Sequence, residues 1–192
     1  MDESRTPRLT YRVELPGGIG RLEDAALYVM EKCVDADAFG LTKLNKILWR
    51  ADFRAYAERR LPVTGRQYQR LPQGPVPVEM PIVIDNLLSV GAMRIDDRPV
   101  ISFVERRPIA LQRPALRFFS PDDLSFLDAS VEHYWSLSGR RTSADSHGIA
   151  WSTRANGEPM PYELSLLLDE KLPEADLMRL ASLGREHGWR SA

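Results

Sequence analysis

The chain has 192 residues, the size of one domain, and its 43% hydrophobic and 28% charged residues are those of a globular protein, not a disordered one. A formal net charge of -1 supplies no global field to draw it onto nucleic acid or an anionic membrane. One cysteine, Cys33, excludes an intramolecular disulfide; with no signal-peptide pattern and no apolar run near the ~18 residues of a membrane helix, the protein is expected to be cytoplasmic.

Leu9, Tyr11 and Val13 alternate with Thr10 and Arg12, which predicts a short strand; a mobile tail is the alternative. ELPGGIG follows and argues against a helix before Gly20. Leu22, Ala25/Ala26, Val29 and Cys33 recur at helical steps, so a first helix runs from Leu22 to about Ala38, with Cys33 as a small buried hydrophobe. Gly40 breaks it. A second helix begins at Leu41-Thr42 with Thr42 as N-cap, carries the apolar stripe Leu44, Ile47, Leu48, Ala51 and Ala55, and stops before Pro62.

Residues 61–75, LPVTGRQYQRLPQGP, read as a structured loop. Pro77 opens a third helix that Gly91 ends, with Pro81 tolerated in its first turns. MRI and VISFV flank DDRP, a hairpin signal over 93–104. Arg106, Arg107, Pro108, Arg113 and Pro114 form a basic connector, and Arg117-Phe118-Phe119 a short strand. Ser120-Pro121-Asp122-Asp123 is the clearest helix start: a serine cap, proline at the first position, and two acids at the positive end of the dipole. That helix ends at Ser138-Gly139. A fifth runs from Thr142, its cap, to Arg154; Asn156-Gly157 turns; Tyr162–Glu170 and Pro173–His187 are the last two. The expected fold is mainly α: a single compact bundle of about seven helices with a small inserted β hairpin. Residues 22–190 form the domain and 1–21 an N-terminal extension.

Little here carries chemistry. One cysteine and three scattered histidines, His133, His147 and His187, give no metal-ligand spacing, so no metal and no cofactor are expected. There is no Walker A loop and no GxSxG elbow. Ser143, Asp145, Ser146 and His147 crowd one helical turn and cannot converge as a triad. An enzyme would need His147 and Asp52 to meet in a pocket. On the second helix Lys43, Lys46, Arg50 and Arg54 share a face, extended by Arg66, Arg70, Arg106, Arg107 and Arg113. Together with the hairpin this supports an alternative reading, a DNA-binding transcriptional regulator using the 42–60 helix and the 93–104 hairpin. The near-zero net charge favours a solvated face instead. Asn45, Trp49, Asp52 and Tyr56 form a second stripe, and His147, Trp151 and Arg154 a third. Such aromatic-polar stripes are either core edges or binding hot spots.

The run Leu41-Thr42-Lys43-Leu44-Asn45-Lys46-Ile47-Leu48-Trp49 resembles the LxKLxKLLY helix of the Panacea, or SocA-like, antitoxin domain. Thr64-Gly65, Tyr68 and Gly74-Pro75-Val76-Pro77 match its Thr-Gly turn and Gly-Pro-Val segment; Ser146-His147 with Trp151, then Pro159-Met160-Pro161-Tyr162, match its later landmarks. The resemblance covers about residues 22–170, with Trp49 where tyrosine is usual and a longer stretch over 92–119. It implies a bacterial or phage antitoxin, not an enzyme, that neutralises a cognate protein toxin by binding it, some members handing the toxin to a protease. On that basis Trp49, Asp52, Tyr68, His147, Trp151 and Arg154 are candidate partner contacts. Lys43, Lys46 and Arg50 would steer an acidic toxin face, and Gly65, Gly74 and Pro75 shape the loop that presents Tyr68.

Overall fold

A computed structural model describes residues 9–100 and 103–167. Among these are six α-helices: α1 (Gly18–Lys32), α2 (Leu41–Arg59), α3 (Met80–Ser89), α4 (Pro121–Tyr134), α5 (Gly139–Asp145) and α6 (Ile149–Ser152). Strands β1 (Tyr68–Leu71), β2 (Gly74–Pro77) and β5 (Pro159–Met160) make one antiparallel sheet in the order β2-β1-β5. Strands β3 (Met93–Val100) and β4 (Phe103–Ala110) make a separate hairpin. Helix therefore dominates, but two small sheets accompany it instead of one hairpin. The helix expected at Pro173–His187 lies outside the described residues.

α2 is the central element. Leu44, Ile47, Leu48, Ala51 and Ala55 enter the main core with residues of α1, α3 and α4. Phe53 and Tyr56 enter a second, aromatic core with Tyr68, Met160 and Tyr162, against which Val13, Trp49 and Trp151 pack. A helix buried on two sides needs more than one apolar stripe, and α2 has two. Within the second core Tyr56 and Tyr162 stack at 5.1 Å, and Phe53 meets Tyr68 edge-on at 5.6 Å.

Several expected boundaries move, each for a local reason. α1 starts at Gly18, not Leu22, because Gly17 and Gly18 adopt positive φ (96° and 53°) and let the glycine-rich turn lead straight into the helix. It also ends earlier, at Lys32. α2 is capped by the backbone of Gly40; Thr42 is inside the helix and its hydroxyl reaches Gln73 instead. The 61–75 loop contains β1 and the start of β2, joined by the two-residue turn Pro72-Gln73. Pro77 closes β2, so α3 begins only at Met80, with Pro81 in its first turn.

The hairpin is longer than expected. DDRP lies inside β3, and the basic connector is β4: Asp96 faces Arg107, Asp97 faces Arg106 and Arg98 faces Glu105. Opposite charges at three successive paired positions favour this register over a turn at the acidic pair. Arg117 falls in a 3-10 turn (Leu116–Phe118), not a strand. Leu9–Val13 joins no sheet and bends at Tyr11; Val13 N–H donates to Gly65 and Tyr162 N–H donates to Thr10. The start of α4 is as expected, with a reciprocal capping box between Ser120 and Asp123. The fifth helix is two pieces: Ser138, not Thr142, caps α5, and the chain breaks over 146–148 at an extended Gly148 before α6. Tyr162–Leu166 is a 3-10 turn.

Candidate functional site

Where α2, β1 and the α5–α6 break meet, half-buried aromatic and cationic side chains gather at the rim of the second core. Trp151 projects from α6 and donates its indole N–H to the Leu71 carbonyl at 2.9 Å, which fastens it to the end of β1. The His147 imidazole stacks on it at 3.9 Å and 15°, and the Arg70 guanidinium lies over its ring at 3.9 Å. The break at 146–148 makes this possible, because it turns His147 back over Trp151. Trp49 packs on Phe53 from α2, its ring centroid 5.5 Å away. Both indoles are half-buried, so neither is sealed inside the fold.

Beneath this rim the groups are enclosed. Lys46 is 1% exposed and donates to the Pro75 carbonyl at 2.8 Å. Burial lowers its pKa to about 7. Burial, then the nearby Lys46 and Arg70, hold the His147 imidazole below its ordinary value. Gly74 (φ 101°) sits directly on Lys46 and Ser146, where a Cβ would collide with both side chains. The hydroxyl of Ser143 donates to the Gln73 carbonyl at 2.8 Å, tying α5 to the β1–β2 turn.

Asp52 is completely buried one helical turn further along α2. Its carboxylate accepts from the Thr64 amide at 2.5 Å, from the Thr64 hydroxyl, and from the Tyr68 hydroxyl at 2.8 Å. Burial raises its pKa to about 6, opposed by those hydrogen bonds. Tyr162 closes the network through its hydroxyl to the Arg66 carbonyl at 2.6 Å. Gly65 (φ 72°) lets the chain approach Val13, whose carbonyl a Cβ would strike.

Of the residues singled out in the sequence, Trp49, His147, Trp151 and Arg154 are half-buried and His147 and Trp151 are in contact. Asp52 and Tyr68 are fully enclosed and act behind the rim, on the loop that carries β1. His147 faces Lys46, Arg70 and Trp151, whereas Asp52 is held by Thr64 and Tyr68, so the pair an enzyme would need does not form. Lys43 and Lys46 are each 1% exposed, which takes both out of the solvated cationic stripe; Arg50 keeps partial exposure. The reason is the chain that covers them: Lys43 reaches the Trp135 carbonyl after α4, and Lys46 lies under Gly74 and Pro75 of β2 and Ser146. Gly65 and Gly74 stand at close approaches, to the Val13 carbonyl and to Lys46 with Ser146, and Pro75 accepts from Lys46. Arg70 enters the sequence reading only as an extension of the cationic face, not as a partner contact. Its signal was the two-residue step from Tyr68, legible only once 68–71 is read as a strand. Among the described residues no three His, Cys, Asp or Glu side chains could hold a metal, and no helix is long and apolar enough to cross a membrane.

No match to this chain was found among curated proteins or among solved structures. The model of one family, described as antitoxin SocA-like, Panacea domain, matches residues 44–152. That stretch runs from α2 to α6 and holds the Trp49, Arg70, His147 and Trp151 corner together with the Asp52 network beneath it, so on a match over more than half its length the chain belongs to the SocA-like antitoxin family, Panacea domain.

Proposed function

We propose that the protein is the antitoxin of a toxin–antitoxin pair and neutralises its cognate protein toxin by covering it, with no reaction catalysed. The observation that supports this most is the half-exposed Trp151, stacked by His147 and Arg70 at the edge of the aromatic core. A rigid aromatic with stacked polar neighbours is what binding hot spots are made of, and holding it in place beforehand lowers the entropy cost of association. Trp49, His147, Trp151 and Arg154 are the partner contacts in this reading; Arg50 contributes on-rate. Asp52 and Tyr68 hold the β1 loop from behind. The partner surface would be of ordinary size, removing about 1,600 Å² in total from solvent.

The DNA-binding alternative gains no support, since Lys43 and Lys46 are buried and the acidic residues of β3 sit opposite the arginines of β4. The test is growth. The neighbouring gene product expressed alone should arrest cells, and this chain should restore them; failure of the rescue defeats the reading. Trp151→Ala should abolish rescue while the purified variant still melts as a folded protein. If the toxin is passed to a protease, its half-life in the cell falls when this chain is co-expressed; a purely steric antitoxin leaves it unchanged or longer.

A further inference from the structure

Most buried cations elsewhere in the fold are matched; Lys43, which reaches only the Trp135 carbonyl at 3.4 Å, is the exception. Arg21 donates to Val63, to Phe118 and to Asp123. Arg107 donates to the carbonyls of Ala36, Val34 and Cys33. Arg66 pairs with Glu79, and Arg59 with Asp123. The corner around Trp151 is different. Among the described residues no carboxylate pairs with Lys46, Arg70, His147 or Arg154. The buried Arg70 Nε, His147 Nε2, Arg154 Nε and Trp49 Nε1 have no hydrogen-bond partner. Unpartnered donors outnumber acceptors there, Asn45 Oδ1 on α2 being the one orphaned acceptor on the Trp49 stripe, and Lys46 and Arg70 both bear on His147. Such an arrangement costs stability unless something negative completes it.

We propose that this corner, formed by Arg70 on β1 and His147 before α6 with Lys46 of α2 enclosed behind them, is a receptor for a single carboxylate side chain of the protein partner. The inference rests on the antitoxin reading and names the chemistry its partner must offer: an aspartate or glutamate placed against the Arg70–Trp151–His147 stack. A single carboxylate fits better than a phosphate backbone. The whole chain carries -1, and a polyanion needs a continuous basic track that the buried Lys43 and Lys46 do not provide. The charged groups on the surrounding elements are Lys46 and Arg50 on α2, Arg70, Arg140, Arg141 and Asp145 on α5, Arg154, and Glu158 beside Arg70, whose carboxylate accepts from the Ala155 amide. Asp145 is already engaged by His133 at 3.0 Å. An incoming carboxylate would therefore favour protonation of His147 and Lys46, and binding would tighten as pH falls toward and below 7.

The full chain, isotopically labelled, can be titrated with sodium acetate, sodium phosphate and sodium chloride at one ionic strength, following the indole and imidazole resonances. Acetate should shift Trp151 and His147 saturably and raise the His147 titration midpoint. Arg70→Gln should weaken this by about tenfold or more, the loss of one charge-assisted hydrogen bond, while Arg70→Lys retains most of it. Chloride reproducing the shifts, or Arg70→Gln binding like the parent, overturns the proposal. Phosphate saturating at a tenth of the acetate concentration also overturns it, in favour of a phosphate ligand. Because this titration uses no toxin, its failure leaves the rescue experiment intact; failure of rescue by the unaltered chain leaves the titration intact.

Discussion

Asp52 and Lys46 are the two residues whose surroundings make the sharpest claims about pH. The folded protein keeps a proton on Asp52 up to about pH 6, above the ordinary aspartate value near 3.8. Stability from this group is therefore complete below about pH 4 and lost as pH rises through 6. The difference of about two units caps the effect at about 3 kcal/mol. Replacing Asp52 by Asn should flatten that fall when melting temperature is followed from pH 4 to 7. Asp52→Ala should instead cost about 3 kcal/mol, because Thr64 and Tyr68 would both lose their buried acceptor. Lys46 runs the other way: its folded pKa is lowered to about 7, so its stabilising contribution is complete above the ordinary lysine value of 10.5 and is lost as pH falls through 7. Lys46→Met should remove the gain in stability that the parent shows between pH 7 and 10.

At the scale of elements, the legible features were those with short-range causes. Ser120 capping α4 is local chemistry, and Ser120→Ala should cost about 1 kcal/mol by chemical denaturation. The apolar stripe of α2 was equally plain. The failures were places where a distant partner decides. Residues 61–75 look like a loop because strands of four residues punctuated by proline carry no alternation worth reading; β1 pairs with the adjacent β2 along its length, and β5, some 90 residues later, adds pairing at Tyr68 and Gln69. The Lys43–Lys46 face of α2 looks solvated in the sequence for the same reason, since Pro75, Trp135 and Ser146 cover it from further along the chain. Trp49, His147 and Trp151 were readable as a stripe, but not the Arg70 that completes them. Gly74 is the hinge of this arrangement. Gly74→Ala combines a left-handed backbone with a collision against Lys46 and Ser146, and should cost about 3 kcal/mol and disturb the Trp151 fluorescence together with the fold.

The whole molecule is two cores on one helix, and their contents differ. The main core is mostly aliphatic, with Tyr28, Phe39 and Tyr134, and closes on α1, α3 and α4; the second is mainly aromatic and carries the face proposed for the partner. Stability need not be shared equally between them, and the second core is closed only by short strands and 3-10 turns. Hydrogen exchange should be slowest in α1 and the middle of α2, and faster at the amides of β1 and β5. Toxin binding should slow the latter set by at least about tenfold if the aromatic rim is the contact surface.

The segment ahead of α1 bears on how this protein should be cut for study. Thr10 and Val13 are hydrogen-bonded to Tyr162 and Gly65, and Glu163 accepts from both the Thr10 amide and the Tyr56 hydroxyl. A shortened version starting at Pro16, just ahead of α1, would keep Ile19, Arg21 and the main core yet unlace the aromatic side. Such a truncation would pass a far-ultraviolet check for helix content and still fail as an antitoxin, a result easily mistaken for loss of a contact residue.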